Sequence, residues 1–387
     1  MWIDRDLENK IMHLSKTRPA TLITGARQVG KSSLLKKAFP QAEYVTLDKV
    51  ATADYAEQNP SSFLKSYKGP VIIDEIQYAP SLFRELKILI DEERDVFGKW
   101  ILTGSQKFIL MKNISESLAG RVGIIPLPTL CLKELQSQGI KDSSDIVWKG
   151  GFPELWAHSH IDMENFFDTY VQTYLERDLQ AIIKVNSLRD FQRFMRACAI
   201  RVGQLINFSD IAKDVGVSQV TIKSWIEALE ASNLVTLLSP YYRNLGKRLV
   251  KAPKLYFNDT GLLCYLLDIF SSEEYKSHIY KANIWENVVL SELTKSQGYT
   301  INKNIFFYRD QNGVEIDFLL EKKSQIYLVE VKDSEKVDPK KLNFKKVAPL
   351  FKEETHCSVA CHTEGDTTYR LKDWSLFNPI FCKKWPV

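Results

Sequence analysis

The chain contains 387 residues, of which 44% are hydrophobic and 26% are charged, and this composition excludes an intrinsically disordered protein. The length exceeds that of a single domain of roughly 100 to 200 residues, so we expect two or three domains. The net charge is only +4, which excludes a polycation that binds nucleic acid through its overall charge.

No stretch of the sequence approaches the ~20 consecutive apolar residues that cross a bilayer, and acidic residues interrupt the N-terminal segment. The six cysteines are scattered, and no pair has CxxC spacing. This disfavours a disulfide framework. We therefore expect a cytoplasmic protein with no membrane partner.

Short apolar runs alternate with helical stretches from Thr21 to about Leu135. The runs read TLIT, YVTL, VIID, WILTG and VGIIPL. Parallel strands joined by crossover helices produce this alternation. The sequence therefore predicts an α/β domain with a parallel sheet, which we assign to residues 1–145.

A glycine-rich segment directly after the first run has the pattern GxxxxGK[ST]. It lies between a predicted strand and a predicted helix, the context in which this pattern binds nucleotide phosphates. Lys31 is expected to bridge the β and γ phosphates, and Ser32 to bind Mg²⁺. We predict ATP and Mg²⁺ as cofactors, held by a loop of nine residues: Gly25, Ala26, Arg27, Gln28, Val29, Gly30, Lys31, Ser32 and Ser33.

The run VIID ends in Asp74 and is followed directly by Glu75. Two carboxylates at this place are expected of a strand that completes a nucleotide site. Asp74 is predicted to bind Mg²⁺ and Glu75 to orient the attacking water. The alternative is a strand that ends in two solvated acids. The run WILTG continues to a serine, and we predict Thr103 and Ser105 as catalytic sensors of the γ phosphate; the alternative is that they are ordinary turn residues.

An arginine precedes the fifth run, in the segment SLAGRV. The guanidinium of Arg121 could reach an ATP molecule bound by a neighbouring subunit and offset transition-state charge. Arg27, within the glycine-rich loop, is the competing cation.

The segments GARQVGKS, VIIDEIQ, ILTGSQ and SLAGRV occur in this order and are followed by GGFPE and YLERDL. Together they resemble the bacterial and archaeal AAA-type ATPases that carry a C-terminal domain of unknown function, the DUF4143 family. The resemblance spans almost the whole chain. It implies an ASCE-type P-loop fold, ATP hydrolysis, a homo-oligomer, and Arg121 as the arginine finger.

The segment from residue 146 to 270 is predicted to be a helical and winged-helix domain. Two amphipathic helices are expected within residues 161–200. A helix, a turn capped by Ser218 and a second helix then precede the strands NLVTLLS and KLYFN, which would form the wing. In a DNA-binding reading the contacts are Gln219, Thr221, Lys223, Arg243, Lys247, Arg248 and Lys251. The alternative is a module that binds protein.

Residues 271–387 are predicted to form an α/β domain that resembles restriction endonucleases, with a helix and three meander strands. Asp317 lies within VEIDFLLE, and Glu330 and Lys332 end the next strand. Alternation would place these side chains on one face, where two carboxylates, with Glu286 as a third, could bind Mg²⁺ and activate water. The alternative is a hairpin with ordinary salt bridges. Ala282 stands where the resembling family leads us to expect a glycine.

These features indicate an ATPase in which the ATP state controls DNA binding or processing, with DNA as the expected partner. The alternative is an ATP-timed interaction switch in which the nuclease-like domain is inert. A small-molecule kinase is disfavoured because no acceptor pocket can be identified in the sequence.

Overall fold

The computed structural model describes residues 2–105, 107–140, 142–174, 188–242, 250–365 and 368–387. The chain divides into two compact units. The first consists of Met1–Leu130, Phe152–Ser159 and Ala231–Leu234, and the second of Cys131–Gly151, His160–Glu230 and Val235–Val387. Most of the predicted middle domain and the whole predicted C-terminal domain thus lie in one unit, and the division into three domains stays a prediction.

The described helices follow the chain in this order: α1 Glu8–Ser15, α2 Lys31–Ala38, α3 Val50–Gln58, α4 Pro60–Lys65, α5 Ser81–Glu92, α6 Lys107–Ser117, α7 Leu132–Gln136, α8 Ser143–Lys149, α9 Pro153–Ala157, α10 Met163–Tyr174, α11 Leu188–Ala199, α12 Phe208–Val215, α13 Gln219–Ala231, α14 Thr260–Leu266, α15 Ser272–Ser277, α16 Lys281–Lys295 and α17 Phe344–Val347. Short 3-10 turns lie at Ile76–Tyr78, Pro339–Lys341 and Ala348–Leu350. Among these helices, none is both long enough and apolar enough to span a membrane.

A five-stranded parallel sheet forms the centre of the first unit. Its strands are β1 Ala20–Thr24, β2 Glu43–Thr46, β3 Val71–Asp74, β4 Trp100–Gly104 and β5 Val122–Pro126. The strand order is β2-β3-β4-β1-β5, and every neighbouring pair is parallel. The predicted α/β fold with a parallel sheet is therefore confirmed, and each of the five apolar runs contributes a strand.

The central strands of this sheet are buried along their full length. Every residue of β1, β3 and β4 is inaccessible or nearly so, because helices cover both faces of a parallel sheet. Helix α5 shows the matching pattern, since Leu82, Phe83, Leu86 and Ile90 form its buried face. This packing fixes the carboxyl ends of β1, β3 and β4 side by side.

Two short helices and a strand pair occupy the middle of the second unit. Helix α12 is capped by Asn207 and ends at Gly216, whose φ of 84° is left-handed. Helix α13 follows after a turn, and the antiparallel strands β6 Val235–Leu238 and β7 Lys254–Phe257 come next. The predicted polar turn between these strands, with Arg243, Lys247 and Arg248, lies outside the described residues.

A six-stranded mixed sheet lies towards the C-terminus, with the order β12-β13-β11-β10-β9-β8. Its strands are β8 Ile305–Arg309, β9 Glu315–Lys322, β10 Gln325–Val331, β11 Thr355–Ala360, β12 Tyr369–Arg370 and β13 Ser375–Phe377. The first three form the antiparallel meander that the sequence indicated. Strand β11 then adds parallel to β10, an extension that the sequence analysis missed.

Candidate nucleotide site and C-terminal carboxylate cluster

The glycine-rich loop connects β1 to α2 at the carboxyl edge of the parallel sheet. A Cβ atom at Gly25 would lie 2.2 Å from the carbonyl oxygen of Leu127, so only glycine fits there. Gly30 caps α2 with a left-handed φ of 89°, a conformation that glycine adopts without strain. Both glycines are therefore required by the backbone path of the loop.

The Lys31 side chain is folded under the loop and is only 5% exposed. Its ammonium group donates to the carbonyl oxygens of Gly25, at 3.2 Å, and of Ala26, at 2.9 Å. The charge thus lies within the curve of the loop at the start of α2. An anion bound in this loop would meet the ammonium group and the helix N-terminus together.

The Asp74 carboxylate, at the end of β3, accepts hydrogen bonds from hydroxyl groups on three elements. Ser32 Oγ lies 2.7 Å and Thr103 Oγ1 2.5 Å from Oδ1, and the Tyr44 hydroxyl lies 2.7 Å from Oδ2. The pKa of Tyr44 is raised, mainly by burial and in second place by its hydrogen bond to Asp74. One carboxylate and a hydroxyl fit the way proteins hold Mg²⁺, which keeps other positions for water and phosphate oxygens.

Glu75 directly follows and has a left-handed backbone, with φ 57° and ψ 49°, which is uncommon outside glycine and clusters at functional sites. Its N–H donates to Thr103 Oγ1 at 3.0 Å. The backbone N–H and the hydroxyl of Ser105 both donate to Glu75 Oε2 at 3.1 Å, and the Gln77 amide is a further partner. The structure thus brings Asp74, Glu75, Thr103 and Ser105 together as one network.

Arg121 makes two hydrogen bonds to Asp91 of the same chain, each 2.8 Å long. The Arg121 guanidinium lowers the pKa of the Asp91 carboxyl. Arg27, the competing cation, donates to the Tyr78 hydroxyl at 3.2 Å. Arg121 is thus paired with an acid of its own chain.

The sequence analysis missed Tyr44, whose hydroxyl donates to Asp74, and also Gln77 and Arg5. Gln77 follows Glu75 in VIIDEIQ, and this proximity was its only signal. Arg5 is buried and donates to the carbonyl oxygens of Val29, at 2.8 Å, and Pro128, at 2.6 Å. Arg5 therefore anchors the glycine-rich loop from a distant part of the sequence, and nothing in the local pattern indicates this.

The first turn of α13 carries the residues predicted to contact DNA. Gln219 and Lys223 are exposed. The Thr221 N–H, in contrast, donates to Ser218 Oγ at 3.0 Å, and the two hydroxyl groups lie 2.8 Å apart. Thr221 thus helps to cap the helix, while the other two side chains face solvent.

The predicted nuclease residues also lie close together, on β9, β10 and α16. Glu330 Oε2 lies 2.7 Å from Lys332 Nζ, and Asp317 Oδ2 accepts from the Val331 N–H at 2.7 Å. Glu330 Oε1 accepts from the Asn343 N–H at 2.7 Å. Burial raises the pKa of the Glu330 carboxyl. These groups are therefore already engaged by the chain itself.

A lysine that the sequence analysis did not consider stands among the remaining carboxylates. Lys254 Nζ lies 3.0 Å from Glu286 Oε1, 2.5 Å from Glu315 Oε1 and 3.9 Å from Asp317 Oδ1. Within the described ranges, no group of three or more His, Cys, Asp and Glu side chains could hold a metal ion. The predicted Mg²⁺ set of Glu286, Asp317 and Glu330 stays a prediction, and in this arrangement the Lys254 ammonium group lies beside Glu286 and Asp317.

Three family profiles match successive parts of the chain. An AAA domain profile matches residues 17–136, and two domains of unknown function match residues 140–273 (DUF8612) and 281–382 (DUF4143). Two curated relatives are the uncharacterized proteins Mb2031c of Mycobacterium bovis and Rv2008c of Mycobacterium tuberculosis. Each is 31% identical over 332 residues, which is 85% of this chain and 73% of the relative.

Solved structures of P-loop ATPases are also similar. The Walker-type ATPase paby2304 of Pyrococcus abyssi has a TM-score of 0.46 and 16% identity, covering 69% of this chain and 96% of that one. The RuvB Holliday junction branch migration motor of Thermotoga maritima has a TM-score of 0.33 and 15% identity, covering 60% and 89%. With the AAA and DUF4143 profiles matched in one chain, the protein belongs to the AAA-type P-loop ATPases that carry a C-terminal DUF4143 domain.

Proposed function

We propose that the first unit binds Mg-ATP and hydrolyses it. The observation that carries this proposal is the Asp74 carboxylate, which lies within 2.7 Å of the Ser32 hydroxyl at the start of α2 and 2.5 Å of the Thr103 hydroxyl at the end of β4. Ser32 and Asp74 would hold Mg²⁺, and the backbone of residues 25–33 would bind the phosphates.

Each side chain of the site would have a separate role in hydrolysis. Bound Mg²⁺ would neutralise charge on the phosphate oxygens. Lys31 would exchange its two carbonyl partners for phosphate oxygens, which are stronger acceptors because they are charged. Glu75, held by Ser105 and Gln77, would orient the water, and Thr103 would couple Glu75 to Asp74 because its hydroxyl contacts both.

The test of this proposal is Mg²⁺-dependent ATP hydrolysis by wild type and Asp74→Asn. The variant should lose hydrolysis but keep its affinity for ATP in the absence of Mg²⁺, because the phosphate loop is unchanged. Asp54→Asn, at an exposed position of α3, is the matched control and should behave as wild type. Undiminished Mg²⁺-dependent turnover in Asp74→Asn would refute the assignment.

We further propose that Arg121 acts on ATP bound by a second copy of the chain. Arg121 would have to break its hydrogen bonds to Asp91. In a homo-oligomer, the phosphates of ATP bound by the neighbouring copy would then be its new partner. Arg121→Ala should then lower turnover by about 1,000-fold without weakening ATP binding. Mixing this variant with Asp74→Asn protein, which still has Arg121, should partly restore turnover. No restoration would place Arg121 outside the neighbouring site.

For the second unit, we propose a winged helix built from α12, α13, β6 and β7, followed by a nuclease-like sheet. Its exposed Gln219 and Lys223, together with Arg243, Lys247 and Arg248, would contact duplex DNA according to the ATP state. The test is DNA binding at low salt, where phosphate contacts are strongest, with and without ATP. Replacing the three arginine and lysine residues of the 243–248 segment by alanine should abolish it.

A second candidate function is an ATP-timed interaction switch whose nuclease-like sheet is inert. The position of Lys254 among the carboxylates favours this candidate for the sheet. Incubation of single- and double-stranded DNA with Mg²⁺ or Mn²⁺ and ATP should then produce no cleavage that depends on Asp317. Cleavage that disappears in Asp317→Ala would rule out the inert sheet.

A further inference from the structure

Lys254, the first residue of β7, is one of the most buried charged groups among the described residues, with 2% exposure. A lysine is almost never buried this deeply unless carboxylates pair with it. Its partners are Glu286 on α16 and Glu315 and Asp317 on β9. We call these four side chains the Lys254 cluster, which joins a strand of the short hairpin to a helix and a strand of the large sheet.

The ammonium group of Lys254 stays charged in this environment. Burial opposes the charge, but the carboxylates of Glu286, Asp317 and Glu315 raise the pKa of Lys254 by more than burial lowers it. The Tyr256 hydroxyl, also on β7, is a further partner of Glu286. The cluster is therefore an ion-pair network made entirely by the chain.

Cationic side chains balance most of the negative charge of the carboxylates in and beside the Lys254 cluster. Arg309 Nη1 lies 2.9 Å from Glu315 Oε2, and Lys332 Nζ lies 2.7 Å from Glu330 Oε2. Among the described residues, three cationic side chains (Lys254, Arg309 and Lys332) thus face four carboxylates (Glu286, Glu315, Asp317 and Glu330). A divalent ion would add two charges where one is unmatched, and it would have to sit beside an ammonium group.

The Lys254 ammonium group and a divalent metal ion cannot both bind these carboxylate oxygens. Mg²⁺ and Ca²⁺ bind carboxylate oxygens at about 2.0 to 2.6 Å. The oxygens of Glu286 and Glu315 that such an ion would use already lie 3.0 Å and 2.5 Å from Lys254 Nζ. A metal on these atoms would be within a few ångströms of the ammonium group, where the repulsion between the charges is large in a buried site.

We infer that Lys254 is the resident cation of this cluster and takes the place of a divalent metal ion. The cluster therefore fastens β7 to β9 and α16 and has no metal-dependent hydrolytic role. Removal of the ammonium group leaves three carboxylates that converge on one point, so a Lys254 variant should gain a divalent-cation site. This inference does not depend on ATP hydrolysis.

The experiment counts Mn²⁺ ions bound to the full-length chain without nucleotide, by electron paramagnetic resonance of free Mn²⁺ during titration. Asp317→Asn serves to identify ions bound at the cluster, because it removes one charge and keeps an acceptor for the Val331 N–H. Wild type and Asp317→Asn should bind the same number of ions. One ion more in wild type than in Asp317→Asn would overturn the inference.

The gain of a site is tested with Lys254→Met, which keeps the side-chain length and removes the charge. This variant should bind one additional Mn²⁺ ion and lose it again when combined with Asp317→Asn, and Mn²⁺ should raise its melting temperature. Lys251→Met, at an exposed position nearby, should gain nothing. Folded Lys254→Met that gains no ion would contradict the inference; if this variant does not fold, the comparison of wild type with Asp317→Asn decides alone.

Discussion

Two carboxylate sites of the molecule, one around Asp74 and one in the Lys254 cluster, differ in the groups that contact the carboxylates. In the first unit, Asp74 accepts hydrogen bonds from hydroxyl groups, and the nearby Lys31 donates to the backbone carbonyls of Gly25 and Ala26. In the second unit, Glu286 and Glu315 bind the ammonium group of Lys254 directly. Neutral donors orient a carboxylate without neutralising it, and this difference underlies our proposal that the first site binds an external cation.

A carboxylate motif therefore does not by itself specify a metal site. Both sites have acidic residues at the ends or in the middle of buried strands, and both have a lysine close by. Main-chain oxygens accept from Lys31 in one site, and the acids themselves bind Lys254 in the other. We expect the position of the lysine relative to the acids to decide whether they remain available to a metal ion.

The difference between the two sites is tested most directly by removing each lysine in turn. Lys31→Ala should weaken ATP binding by about 100-fold or more, because charged hydrogen bonds to phosphate are lost, while the melting temperature changes little. Titration with a fluorescent ATP analogue measures the affinity, and Lys65→Ala, at an exposed position of α4, is the control. Lys254→Met should instead lower the melting temperature and leave ATP affinity unchanged; the opposite pattern would remove the distinction between the sites.

A second experiment concerns Glu75, the carboxylate beside Asp74. Glu75→Gln should lower ATP turnover by roughly 100- to 10,000-fold, the usual effect of losing a group that orients or deprotonates the nucleophile, and should retain bound ATP. Turnover and retained ATP are measured on the same sample after rapid gel filtration. Glu315→Gln, the corresponding change in the Lys254 cluster, should leave turnover at the wild-type rate, and a loss there would mean that the two sites are coupled.

Thr103 offers a smaller effect within the first site. Thr103→Val removes the hydroxyl that contacts Asp74 and Glu75 but keeps the shape of the side chain. The Mg²⁺ concentration needed for half-maximal turnover should rise about 10-fold, as it does when a group that hydrogen-bonds to a metal ligand is lost. The Mg²⁺ concentration at half-maximal turnover is the measurement. Thr103→Ser should restore it, since serine returns the hydroxyl. A rise in the KM for ATP at saturating Mg²⁺ instead would assign Thr103 to the nucleotide.

The smallest effect is expected at Glu292, a buried carboxylate on α16 that accepts from the Leu132 N–H at 3.1 Å. Burial raises its pKa to about 7 from an ordinary value of 4.5. The folded state therefore keeps a proton that the unfolded state has lost, so the stability contributed by Glu292 falls as pH rises from about 4.5 to 7 and is constant above. Glu292→Gln should flatten this part of the pH–stability curve in urea denaturation, and an unchanged slope would contradict the shift.

The parallel sheet could be predicted because buried strands covered on both faces give unbroken apolar runs, and β1, β3 and β4 have that composition. The placement of Asp74, Glu75, Thr103 and Ser105 at one edge follows from the same geometry, since parallel neighbours end together. Their catalytic roles stay a prediction. Local patterns carry this information because each run and its terminal residues are contiguous in sequence.

The second unit was harder to predict because its decisive contacts join distant segments. Lys254 opens an ordinary apolar strand, and nothing nearby in sequence indicates that Glu286 and Glu315 will surround its ammonium group. Strand β11, THCSVA, has polar residues in its first half and shows no clear strand pattern. Pairing between remote elements decides both features, and a single sequence does not encode such pairing as a local pattern.

The buried Arg5 has a consequence for the conformation of the glycine-rich loop. Its guanidinium group donates to the carbonyl oxygens of Val29 and Pro128, so two segments that lie far apart in the sequence meet at one side chain. The conformation of the loop therefore depends on a residue outside the loop's own sequence. Substitution of this arginine can alter the loop without changing any residue of the loop itself.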